Sequence, residues 1–434
     1  MKYFFLTLVS ILLTFSTGYS QKKLATLMKN YDDGMYFYMN NDYRESLFNF
    51  KTLLKTDNPN NGQINYLAGM CCLHIPGENG HALTYLQKAV KYASKKFVGT
   101  SLSDTTAPLS VWFFLGNAYR IDKQFDKATD CYESCKALVP RMDAFNLNYC
   151  NLEIEHCKQA LSMMKKPVDV VFSNLGTAIN TGRSYFPAVS ENDSVMVFNS
   201  SLKFYEGIFC SKKINGQWLV PENIVSYIQS DGDQFVSSIS DDGKTLLLRK
   251  EGALDDDIYM SHFANGRWTK SQTLGRKINT KNIERNASIS SDGRTIYFSS
   301  DRKGGNGALD IYKAKLNEAG EWSDPVNLGK GINTEFNDDA PVISADGKRL
   351  YFASQGHMGM GGYDWFYSDL MADGTWSDPV NIGYPLNTAD NDIYLCPVLK
   401  GKVFYTSFFS KEKGNENIFR VEFKSSSQTV SSGR

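Results

Sequence analysis

The spacing of apolar residues changes once along this chain, near residue 166. Upstream they recur every three to four positions, the mark of helices with one buried face. The clearest window is Val111–Pro140, VWFFLGNAYRIDKQFDKATDCYESCKALVP. Trp112, Leu115, Gly116 and Tyr119 fall on one helix, Ala128 and Tyr132 on the next, and Pro140 ends it. Gly116 and Ala128 are small where two antiparallel helices are expected to cross. Weaker copies place Gly34 with Phe50 and Pro59, and Gly69 with Ala82 and Ala89. Asp143–Lys165 reads as a closing helix, apolar at Leu147, Cys150, Ile154, Cys157 and Leu161.

Downstream the chain repeats itself. GEWSDPVNLGKGINT from Gly320 returns as GTWSDPVNIGYPLNT from Gly374. Trp218, Trp268, Trp322 and Trp376 recur at intervals of 50, 54 and 54, as do Gly243, Gly293, Gly347 and Gly401. Asp-Ile-Tyr at Asp257 and Asp310 becomes Asp-Trp-Phe at Asp364 and Asn-Ile-Phe at Asn417; Ile/Leu-Asn-Thr stands at Ile179, Ile278, Ile332 and Leu386. Such a period denotes one supersecondary unit that cannot bury its faces alone. Within a unit, APVIS is a short strand, Asp346-Gly347 a tight turn, and RLYFAS an alternating return strand. A Gly-rich loop, Gln355–Tyr363, then leads to DWFYSDL and WSDPVNI. Four short strands with no helix between them make a blade of a β-propeller.

Five units begin near Tyr185, Phe235, Asn286, Asp339 and Tyr394. The fifth stops at Phe423 after its third strand. Val168–Gly176, VDVVFSNLG, is expected to supply the missing fourth, closing the ring and removing an exposed edge. Five blades are expected; six is the alternative if Lys166–Asn174 holds more. The fold class is therefore helical repeats over 22–165 followed by a propeller over 166–424, with a polar tail over 425–434.

Residues 1–20 carry a basic start, a twelve-residue apolar run (Phe4–Phe15) and small residues Gly18 and Ser20 before Gln21. Twelve helical residues fall short of the ~30 Å bilayer core, so a cleavable export signal is expected rather than an anchor. No cysteine stands at the cleavage point, which argues against a lipoprotein. Without Lys2, 46 basic side chains face 47 acidic ones, which gives no electrostatic reason for nucleic acid as a partner. None of the eight cysteines has CxxC spacing, and six lie in the helical half at core positions. Free buried thiols are expected, with a disulfide such as Cys150 to a neighbouring helix as the alternative.

The 111–140 window resembles the tetratricopeptide repeat. That resemblance implies a groove lined by the first helices, at Tyr31, Met35, Tyr38, Tyr66, Met70, Phe113, Asn117 and Arg120. An aromatic, Met-rich groove suits a peptide or partner helix; the alternative is that Lys95–Pro108 or the adjoining domain fills it. The phrases SSDGRTIYFSSDRKGGNGALDIY and SADGKRLYFASQGHMGMGGYDWFYS resemble the WD40-like PD40 repeats of the Tol-system periplasmic propeller. The whole order is similar to envelope proteins of Bacteroidetes, some serving type IX secretion and gliding, that usually end in an OmpA-like domain. Here only KSSSQTVSSGR follows Phe423.

Candidate chemistry is sparse. Asp338, Asp339 and Asp392 lie on segments leading into blades and His357 in the QGHMGMGG loop. Solvated turn acids and a solvated histidine are the plain readings; partner contacts are the functional ones. The periodic Asp of Asp-Ile-Tyr reads as structural. No HExxH pair, GxSxG elbow or phosphate loop after a strand is present, so no metal or cofactor is expected. RKGGNGALD lies in a strand–strand connection, where glycines serve the turn. A non-catalytic periplasmic or outer-membrane-associated scaffold for envelope proteins is expected. The alternative is a glycan-binding or glycan-cleaving propeller, in contact with a glycan such as peptidoglycan, using carboxylates at ~5–10 Å.

Overall fold

The computed structural model describes residues 2–56, 58–138, 144–202, 205–252, 255–410 and 414–424, the first nineteen and residues 144–145 by backbone alone. Pro140 and the polar tail over 425–434 lie outside the described residues. The chain divides into two compact units, residues 1–154 and 155–434. Among the described residues no helix is long and apolar enough to cross a membrane.

The first unit is built of helical hairpins: α1 (Lys2–Met39) with α2 (Tyr43–Thr56), α3 (Gly62–His74) with α4 (Asn79–Ala89), and α5 (Val111–Ile121) with α6 (Phe125–Leu138). A further helix, α7 (Ala144–Met164), follows. Close approach explains the small residues. A Cβ on Gly116 would sit 2.5 Å from the Tyr132 ring, one on Gly69 2.6 Å from Leu86 and one on Gly34 2.7 Å from Phe50. Ala82, Ala89 and Ala128 are fully buried on the facing helices.

The second unit is a five-bladed β-propeller. Four blades are sequential antiparallel sheets whose inner three strands are Ser184–Val189, Val195–Ser201 and Glu206–Ile214; Gln234–Ile239, Thr245–Glu251 and Asp256–Ala264; Glu284–Ile289, Thr295–Ser300 and Asp310–Lys315; and Asp338–Ile343, Arg349–Ser354 and Asp364–Asp369. Each carries a short outer edge, such as Val326–Asn327 or Val380–Asn381. The fifth blade combines Leu395–Val398, Val403–Ser410 and Asn415–Phe423 with Val170–Asn174, which precedes the first blade in the chain. Val170 pairs with Phe423, Phe172 with Val421 and Asn174 with Phe419. The closing strand is where its sequence placed it, and the alternative of six blades falls away.

Five apolar clusters lie between neighbouring blades, the last joining Val398, Val403 and Tyr405 of the fifth to Val189, Met196 and Phe198 of the first. The repeated Trp belongs to these interfaces. Trp268 packs with Val197 and Ile208 of the preceding blade, and Trp322 with Leu247 and Ile258. The second strands were expected to alternate but bury both faces, because each blade is sandwiched between two others. In Arg349–Ser354, Leu350 and Phe352 join the cluster toward the third blade, Tyr351 and Ala353 the one toward the fifth.

Candidate functional site

The innermost strands of all five blades line a central channel with a free volume of about 60 Å³. That space holds a few waters, whereas small-molecule pockets run to roughly 300–1,000 Å³. One end is drawn together by the hairpin turns. Leu399 N–H donates to Glu191 O at 3.1 Å and Lys400 N–H to Glu191 Oε1 at 2.6 Å. Glu191 N–H reaches Asp241 O at 3.2 Å, and the Ser291 hydroxyl sits between the Asp241 carboxylate and Ala345 O.

The other end is capped by aromatic rings and arginines. Phe186 and Tyr394 approach to 3.8 Å between ring centroids, with Tyr185 at 4.5 Å and Phe235 at 6.2 Å from Phe186. Arg249 lies 5.1 Å over the Phe235 ring and Arg183 4.4 Å over Tyr185. Each arginine holds an acid: Arg249 Nη2 donates to Glu251 at 2.6 Å, Arg285 Nε to Asp256 at 3.2 Å, and Arg183 Nε to Glu416 at 2.5 Å. Burial pushes the Tyr394 phenol up, opposed by the charges of Arg249 and Arg285. Phe186, at φ 52°, and Ala340, at φ 50°, occupy equivalent bulged positions of two inner strands and adopt the left-handed region without being glycine. That conformation costs about 1–3 kcal/mol at such residues and turns the strands at this rim.

The predicted acids do not face an open cleft. Asp338 is fully buried, and its Oδ2 accepts from the Thr334 N–H at 2.5 Å and hydroxyl at 2.9 Å. Asp392 is half-buried and accepts from the Thr388 N–H at 2.5 Å. Asp339 Oδ1 accepts from Asn286 Nδ2 at 3.0 Å and from the Ser299 hydroxyl across the boundary between blades three and four. Burial, reinforced by neighbouring Asp310, pushes the Asp338 carboxyl up to about 7; burial and Asp364 raise Asp392. His357 was expected on an exposed loop face. Instead its ring packs against Phe366 and Phe352 at 5.4 and 5.8 Å, and Nε2 bonds Ile332 O at 2.9 Å. Burial lowers its pKa. The glycine loops turn their amides onto the chain's own acids: Met360 and Gly361 N–H donate to Asp364 Oδ2 at 2.7 and 3.1 Å. Among the described residues no group of three or more His, Cys, Asp or Glu could hold a metal ion.

The helical groove is largely occupied by the chain. Arg120, expected to line it, is 3% exposed: its Nε lies 2.9 Å from Glu153 of α7 and 3.3 Å from the Tyr132 hydroxyl. Asn117 Oδ1 accepts from that hydroxyl at 2.8 Å, and Phe113 packs on Tyr132 and Tyr149. Tyr31 donates to Gly99 O at 3.3 Å within the 95–108 segment, and Met70 is buried. Met35, Tyr38 and Tyr66 remain half-buried. The rim set of Phe186, Phe235, Arg183, Arg249, Arg285 and Tyr394 was missed by sequence reasoning. A signal existed: the first residues of the inner strands converge on the axis, and Phe186, Phe235, Arg285 and Tyr394 stand at or beside the start of four of them.

No family model matches the chain, and no curated protein matches it. Among solved structures it is similar to TolB from Acinetobacter baumannii, at 17% identity over 65% of this chain and 70% of that one, with a TM-score of 0.38. A putative TolB from Agrobacterium tumefaciens matches at 15% over 59% and 91%, TM-score 0.35. The α-L-arabinofuranosidase from Lactobacillus brevis matches at 14% over 58% and 94%, TM-score 0.37. Similarity this low bears on neither ligand nor activity; the ring is read from its own strand pairing.

Proposed function

We propose that this chain is a non-catalytic protein-interaction scaffold of the bacterial envelope, exported by residues 1–20 and working in the periplasm or at the periplasmic face of the outer membrane. Its helical hairpins act as tetratricopeptide-like repeats. The main docking surface is the aromatic–arginine rim of the propeller, with the loops around it. Half-buried Met35, Tyr38 and Tyr66 form a smaller second surface. The order of segments is similar to envelope proteins of type IX secretion and gliding, and assembly of such a machine is the role it suits.

The observation that carries this reading is the rim over a nearly filled channel. Tyr, Phe and Arg are the residues enriched in the cores of protein interfaces, and a 60 Å³ channel is too small for a sugar substrate. At the rim Asp256, Glu251 and Glu416 each already hold an arginine.

The test places a photo-crosslinking amino acid at Phe235 in cells of the source organism. The reading expects an adduct with one envelope protein, lost when Arg249→Glu is added to a chain that still folds. No protein adduct, together with a defined oligosaccharide bound on a glycan array, would overturn it in favour of the glycan alternative.

A further inference from the structure

The end of the helical unit brings two thiols together. On α6, Tyr132 meets α5 at both Phe113, with ring centroids 5.5 Å apart, and Arg120, through its hydroxyl. On α7, Tyr149 meets the same Phe113 at 5.3 Å and Glu153 the same Arg120. Passing from Phe113 to Arg120 goes up both α5 and α7, and the hairpin turns α6 back along α5, so α6 and α7 run antiparallel. With Tyr132 level with Glu153, a residue three places further along α6 faces one three places earlier on α7. Those residues are Cys135 and Cys150. Both are buried, at 1% and 0% exposure. Their thiols are hydrogen-bonded to each other, and that of Cys135 also reaches the Phe113 backbone.

We propose that Cys135 and Cys150 are an oxidation site, joined in the mature protein by a disulfide that staples α7 onto the last helical hairpin. Two independent helices supply the sulfurs, so neither has to bend its own backbone, unlike Cys131 and Cys135 one turn apart on α6. The oxidant is a disulfide, carried by a small thiol or by a protein. The Cys135 thiolate attacks it, forming a mixed disulfide and expelling one oxidant thiolate. The Cys150 thiol then loses its proton, its sulfur attacks the Cys135 sulfur, and the second oxidant thiolate leaves. Two protein thiols are oxidised, one oxidant disulfide is reduced to two thiols, and two protons pass to them. Burial excludes the oxidant once α7 has docked, so the bond forms as the helices assemble and is then shielded from reductants.

This inference rests on the proposed export only for the source of the oxidant, since disulfides persist in oxidising compartments. The experiment keeps the two apart. The full chain, reduced and unfolded, is refolded in a mixture of glutathione and its disulfide, alkylated, and digested without reduction for mass spectrometry. A linked Cys135–Cys150 peptide with the other six cysteines alkylated is expected; eight alkylated cysteines, or Cys150 linked elsewhere, would overturn the pairing. Wild type refolded in dithiothreitol should melt lower than wild type refolded in the glutathione mixture, whereas Cys150→Ser should melt alike after both; equal shifts in the two proteins count against it. Protein trapped with alkylating agent in the source cells should carry the same link. A pair that forms on refolding but is reduced in cells leaves the site standing and removes the exported location.

Discussion

The side-chain amide of Asn180 clasps the backbone of Ile418: its Oδ1 accepts the Ile418 N–H at 2.8 Å and its Nδ2 donates to the Ile418 carbonyl at 3.0 Å. The same two-way clasp joins Asn279 to Ile258, Asn333 to Ile311 and Asn387 to Trp365. In every case the asparagine follows the outer edge of a blade and holds that blade's third strand. At Asn180 the blade held is the last one, 238 residues away in the chain. The repeated Ile-Asn-Thr is thereby explained. The apolar residue enters an interblade cluster, Asn clasps the blade just left, and in three copies Thr holds the first acid of the next.

Replacing Asn180 by Leu leaves the Ile418 N–H without this acceptor, while the Ile418 C=O keeps the Leu175 N–H at 3.2 Å. A loss of about 1–3 kcal/mol is expected, because unsatisfied buried backbone groups keep their full desolvation cost. The urea midpoint of propeller unfolding measures it, with an unchanged slope showing that the native ring persists.

Arg120 and Glu153 form a buried pair, at 4% and 1% side-chain exposure. Arg120→Met alone strands a carboxylate and should cost about 3–5 kcal/mol. Adding Glu153→Leu should recover most of that, because two apolar groups no longer need each other. Thermal loss of helical ellipticity in the single and double variants decides whether the pair is needed as a pair.

The Asp338 carboxyl is pushed up to about 7 in the folded chain from an ordinary 3.8. Between those values the native state holds a proton that the unfolded state has released, so this group's contribution to stability falls as pH rises through the interval. The slope is at most about 1.4 kcal/mol per pH unit. Asp338→Asn lacks it. Wild-type minus variant stability should be level below about pH 4, decline to about pH 7, and be level above. A difference that rises with pH would refute the assignment.

The propeller was legible because its punctuation is periodic. Trp and Ile/Leu-Asn-Thr each recur four times and the Asp-Gly turn three times around the five blades, and a missing fourth strand pointed to Val168–Gly176. What each repeat does was not legible: Asn180 and Ile418 meet only when the ring closes. Arg120 was misplaced for a related reason. Helix periodicity tells which face it occupies, but not that Glu153 of a later helix arrives to cover it. Asp338 and His357 looked exposed because loops usually are; their loops turn inward onto the blades. The rim escaped notice because Phe186, Arg249 and Tyr394 break the repeat, and specialised positions carry no period.

Everything about the rim depends on the fifth blade taking its outer strand from residues 170–174. Native-state hydrogen exchange followed by mass spectrometry reads that directly. Amides of the 170–174 strand should exchange slowly and open together with those of Asn415–Phe423. Exchange there at the rate of an unstructured chain, with 415–423 fraying as an exposed edge, would contradict the closed ring.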